Sequence, residues 1–256
     1  MSNEPSIAAP RPPLFANTWA IFKRELYQYF VSPIAYFVAF VMLLIAGLLF
    51  GTYLRIWVNN QLPADSTAVI SYVAFLTVFM APLLTMRLLA EENREGTIEL
   101  LLTLPIRDVD IVLGKFLGAW AFYTVVIAVT LVYEFILTSV GQPDQGAAIA
   151  GYLGIWLYGG AALAIGLMFS AITENQIVAG FLSLAMLVIL FLIDAFSMSV
   201  QSAGAQTMLR ELSLSSHYYR SFSQGIIRVQ DLLFYIFIIA GALFITTQLV
   251  GSRRWR

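Results

Sequence analysis

The sequence predicts an all-α polytopic membrane protein, on two observations. The chain is 60% hydrophobic and only 11% charged, with a mean hydropathy of +0.82. A soluble domain carries about 25% charged residues, so the charge here cannot cover a globular surface and bilayer must cover it instead. The apolar residues are also gathered into runs of hydrocarbon-spanning length, each needing about 20 residues at 1.5 Å rise.

Taken in order, residues 1–16 are polar, hold four prolines and contain no apolar signal-peptide core, so they read as a disordered tail. Residues 17–30 (NTWAIFKRELYQYF) place Trp19, Phe22, Leu26, Tyr29 and Phe30 on one helical stripe, with Lys23, Arg24 and Gln28 elsewhere. That is the pattern of an amphipathic helix lying in the membrane interface. Ser32-Pro33 separates it from the first span, because the residue before proline is biased away from helix. Six spans follow, at 34–54, 68–86, 111–139, 147–172, 176–196 and 232–250. Residues 197–231 between the last two read as short amphipathic or re-entrant helices capping the outer end.

The positive-inside rule orients the chain. With both termini in the cytoplasm, ten of the 14 Lys and Arg residues fall on the inner side. An even number of spans requires both termini to share a side. The net charge of −1 argues against nucleic acid as a partner. The chain has no cysteine and one histidine, His217, which excludes thiolate and multi-histidine metal centres. No G-x-x-x-x-G-K-[ST] loop occurs. Gly114-Lys115 lacks the upstream glycine and the hydroxyl residue, so any nucleotide chemistry belongs to another chain.

The densest charge lies in residues 87–115, between two spans, in a loop running over 87–110 that the orientation puts in the cytoplasm. Glu91, Glu95 and Glu99 are spaced i, i+4, i+8 and share one helical face, while Leu88, Leu89, Leu101 and Leu102 fall on others. Gly96-Thr97 permits a break, Thr97 can cap a new short helix that Pro105 ends, and Asp108 can cap the third span. The bland reading is a solvated loop. The sharper reading is a short helix offering an acidic face to a protein partner, and the leucines favour it because a free loop would not need them.

Glu134 and Asp194 are the acids closest to the bilayer core. Asp194 lies roughly 18 residues, or about 27 Å, into its span, so both are expected near the outer interface, lining a vestibule or serving structure. Ala162, Gly166 and Ser170 form a small-xxx-small row that permits close helix packing, within the chain or between chains. His217 with Tyr218 and Tyr219 reads as an interfacial aromatic cluster. Glu91-Glu92 also suggests an intramembrane CAAX-type protease, but the arginine falls two residues after the pair instead of three and the second histidine is missing.

The run E-E-N-R-E-G-T-I-E-L-L-L-T-L-P-I, followed by D-I-V-L-G-K-F-L-G, resembles the permease subunits of type-2 ABC exporters. The similarity is greatest to the branch of gliding-motility and nitrous-oxide-reductase maturation permeases. The late stretch from Leu212 to Tyr235, with His217, Tyr218, Gly225 and Asp231, looks like that branch too. The resemblance spans 17–256 as one permease domain. It implies a non-catalytic subunit of the cell (inner) membrane, working as a homodimer or beside a related permease. Two cytoplasmic ATPase subunits would hold the Mg-ATP, this chain carrying no cofactor. Residues 17–31 become the elbow helix and the loop after the second span the coupling helix, pointing to Glu91, Glu92, Arg94, Glu95, Gly96, Thr97 and Glu99. The work done is export, or mechanical transmission to an accessory protein on the outer side. A secondary transporter would need midplane charges or broken helices, and the sequence offers neither.

Overall fold

The computed structural model describes residues 16–61, 65–97 and 106–253. Among them every regular element is helical. α1 (Ala16–Val31) leads into the first span, α2 (Pro33–Asn60), and α3 (Ser66–Thr85) returns to the starting side. A turn at 86–89 joins α3 to the short α4 (Ala90–Glu95). The remaining spans are α5 (Asp108–Val140), α6 (Gln145–Ile172), α7 (Gln176–Ser197) and α10 (Val229–Arg253). α8 (Ala203–Leu212), α9 (Leu214–Tyr219) and a 3-10 turn (Phe222–Gln224) lie between the last two. Among the described residues six helices are thus long and apolar enough to cross a membrane. Chain alternation puts α1, α4 and the start of α5 at one end of the bundle, and α8 and α9 at the other.

Short polar side chains set the helix starts. Asp65 accepts from Thr67 N, Asp144 from Gly146 N and Ala147 N, and Asn175 from Ile177 N, satisfying donors that have no partner within the helix. Pro33 opens α2 from the extended Ser32 as expected. Asp108 does not cap α5: Arg107 holds the cap position and Asp108 occupies the first turn, where its charge favours the helix N-terminus.

α6 is the axis of the bundle, the most buried span, packed on α3, α7 and α10. Its glycines make that packing possible. A Cβ on Gly159 would fall 2.0 Å from the Tyr123 ring, and one on Gly166 2.1 Å from Thr85 Oγ1. The row Ala162, Gly166, Ser170 therefore faces α3 and the turn beyond it, so its packing is within the chain. Ser170 Oγ accepts from Leu89 N and Ala90 N at 3.0 Å each and donates to Met86 O at 3.1 Å.

α1 departs from the expected stripe. The face it buries is Thr18, Ile21, Glu25 and Tyr29, seated along α5, while Trp19 is 57% exposed. The stripe thus divides: Tyr29 and Phe30 set their rings against Phe122 of α5 and Leu26 packs on the core, while Trp19 lies off the protein contact. Trp19 stacks on Phe22 at 5.0 Å with Lys23 over the Trp19 ring.

Candidate functional site: a charged joint at one end of the bundle

The charges of residues 87–115 do not all face outward. Glu92 of α4 turns inward, and its Oε1 lies 2.9 Å from both Arg24 Nη2 and Lys115 Nζ. Glu25 Oε1 lies 2.8 Å from the same Arg24 nitrogen and 3.0 Å from the same Lys115 nitrogen. Two carboxylates and two cations so close a ring with zero net charge, joining α1, α4 and α5. Lys115 and Glu25 are almost wholly buried and Glu92 largely so, whereas Arg24 reaches water. Burial pushes the Glu25 carboxyl up, but Lys115 and Arg24 outweigh it and hold the group below the usual carboxylate range.

Further bonds fix the same joint. Thr18 Oγ1 donates to Asp110 Oδ1 at 2.6 Å, and Tyr29 Oη donates to Leu84 O at 2.7 Å. Arg87 Nη1 donates to Ser32 Oγ at 2.9 Å, with its guanidinium over the Tyr29 ring. The close seat of α1 on α5 needs small residues. A Cβ on Gly114 would meet Ile21 at 2.6 Å, and one on Gly118 would meet Glu25 at 2.7 Å.

Around this joint opens a cleft of about 950 Å³ between α1 and α4, lined in part by Glu91, Glu95, Thr97 and Arg87. Arg94 and Glu95 are exposed and lie 3.9 Å apart. Gly96 ends α4 with φ +69, a left-handed conformation that glycine adopts without strain. Asn93 is buried, and neither side-chain polar atom has a hydrogen-bond partner among the described residues. Glu99, Leu101, Leu102 and Pro105 lie outside the described residues.

The residues expected at the outer end fall in separate places. Glu134 accepts from Ser66 Oγ at 2.7 Å, and Asp194 pairs with Arg220 at 3.3 Å. His217 is more than part of an aromatic cluster. Its Nδ1 is 2.7 Å from Asp231 Oδ1, its Nε2 is 3.2 Å from Glu211 O, and the ring stacks on Phe234 at 3.7 Å. Tyr218 is fully buried beside Tyr219 and Tyr158. Gly225 has φ +74, and a Cβ there would lie 3.0 Å from Ala147 Cα, so conformation and space both demand glycine.

Sequence reasoning missed Glu25 and the pairing role of Lys115. The available signal was an acid on the helical face shared by Ile21 and Tyr29, together with a lysine inside the expected third span.

Six helices of membrane-spanning length among the described residues, an N-terminal helix laid along α5 and a charged joint beneath a short helix define a polytopic membrane protein. The chain belongs to the ABC-2 family of transporter proteins, whose profile matches residues 19–238. That family supports its reading as a permease subunit of an ABC transporter. No curated protein sequence gives a significant match to the chain.

Proposed function

We propose that this chain couples ATP hydrolysis on a separate cytoplasmic ATPase subunit to export, or to mechanical work on an outer-side partner, with α4 as the docked helix. Two copies, or this chain and a related permease, would pair in the inner membrane with both termini cytoplasmic. The ATPases would carry the Mg-ATP. The observation that carries the reading is the division of labour on α4. Glu92 is tied into the bundle through Arg24 and Lys115, while Glu91, Arg94 and Glu95 stay on the open side. A helix fixed on one face and presenting charge on the other suits a part that receives force and passes it on. The ATPase must bind the two conformations of this subunit with different affinity, or no movement is driven.

The test is reconstitution with the ATPase. Glu95→Lys reverses an exposed charge, and Gly96→Pro forces a φ near −65° where +69 is needed. Both variants should insert normally yet lose permease-dependent stimulation of ATP hydrolysis. Stimulation equal to wild type in both would overturn the docking assignment.

A further inference from the structure

At the end of the bundle away from α4, the segment from α8 to the first turn of α10 encloses a cavity of about 240 Å³. Its walls carry both signs of charge: Arg210, Arg220 and Arg228 against Glu211 and Asp231. These groups are only partly matched within the protein. Arg220 reaches Asp194, and Arg210 gives its Nε to Ser197 Oγ at 3.3 Å. Arg228 is exposed and forms no ion pair among the described residues. Glu211 Oε2 accepts from Gln230 at 3.2 Å. The Asp231 side chain is 8% exposed; Oδ1 is held by His217, while Oδ2 is buried without a hydrogen-bond partner among the described residues. A buried acceptor left unpaired is costly, which marks the place where a donor fits.

We propose that this cavity binds a phosphoethanolamine-type zwitterion, its phosphate on the arginines and its ammonium on Glu211 and Asp231. A simple anion would face two carboxylates, and a simple cation would face three guanidinium groups. A ligand carrying both signs a few bonds apart satisfies both walls. Guanidinium is the side chain best shaped to hold phosphate oxygens, and the volume suits a headgroup. Apolar surface flanks the cavity. Met208 and Leu212 of α8 are 73% and 61% exposed, and Ile226, Ile227 and Val229 are exposed where the chain enters α10. That is the surface of a segment lying where headgroups meet acyl chains. The same chemistry is offered by phosphatidylethanolamine of the adjacent leaflet and by a soluble phosphoethanolamine ester.

Native mass spectrometry of the delipidated full chain tests this. The probes are phosphatidylethanolamine, phosphatidylglycerol and soluble glycerophosphoethanolamine. Phosphatidylethanolamine should be retained about tenfold better than phosphatidylglycerol, the worth of one charge-assisted hydrogen bond. Arg228→Gln should weaken retention of both lipids, and Glu211→Gln should erase the preference between them. Both residues are exposed, so the variants should keep the wild-type unfolding midpoint. Binding of the soluble ester with the same sensitivity to substitution makes a free ester the ligand, and lipid retention alone makes it the bilayer. Equal retention of the two lipids by the wild type, or wild-type behaviour of Arg228→Gln, overturns the site.

Discussion

The two ends of this bundle handle charge in opposite ways. Beneath α4, the charges of Arg24, Glu25, Glu92 and Lys115 balance two against two, and each of the two shared nitrogens bridges both carboxylates, Glu92 Oε2 alone having no hydrogen-bond partner among the described residues. Around α8 and α9, three guanidinium groups face two carboxylates across a small cavity, and Arg228 has no ion pair among the described residues. A closed ring of charges holds helices in one arrangement, since opening it would strand a charge away from water. An incompletely paired cluster leaves bonds to be made with something else. The first arrangement makes a joint and the second a receptor, though both draw on the same residue types.

The largest expected break in this contrast is Lys115→Met. It leaves two carboxylates on one guanidinium inside the joint and should cost about 3–5 kcal/mol of stability, read as the unfolding midpoint in detergent. Adding Glu25→Gln should recover part of that loss, since the second substitution removes the stranded charge. Strict additivity of the two would mean that the ring is not a unit. At the far end, Asp231→Asn weakens a charge-assisted bond and should cost less, about 1.5–3 kcal/mol in the same assay. A cost as large as that of Lys115→Met would erase the distinction between the ends.

Acid gives the mildest perturbation. The Glu25 carboxyl is held low in the folded chain, so its stabilisation is fully present above the ordinary carboxylate range. It is lost as pH falls below that range, through the depressed value. Wild-type stability should decline over that acidic window, and Glu25→Gln should flatten the decline. An unchanged slope in the variant would place the sensitivity elsewhere.

The spans were legible in the sequence because bilayer thickness imposes a length that composition alone reveals. The breaks at Ser32-Pro33 and Gly96 were legible because proline and glycine act through local backbone geometry. The joint was not. Arg24 and Glu92 are 68 positions apart, and Glu25 and Lys115 are 90. An acid that directly follows a lysine and an arginine in a helix, as Glu25 follows Lys23 and Arg24, reads as solvated until tertiary packing buries it. Periodicity put Glu91 and Glu95 on a common face, but it could not tell that the neighbouring Glu92 would be drawn inward by two cations from other helices. The row Ala162, Gly166, Ser170 was visible as a pattern, yet its partners, Thr85 and the backbone of 86–90, are named by nothing local. His217 and Asp231 sat in view of each other across only 14 positions, but the turn at Gly225 that brings them together is a property of the folded chain.

Ser170 carries a mechanical consequence. One hydroxyl oxygen grips the backbone of the turn that separates α3 from α4, taking two N–H groups and giving its proton to a carbonyl. The break in the helix is therefore not a free swivel. Torque on α4 either tears three bonds from a single atom or turns α6 along with it, and α6 is the shaft on which the other spans are mounted.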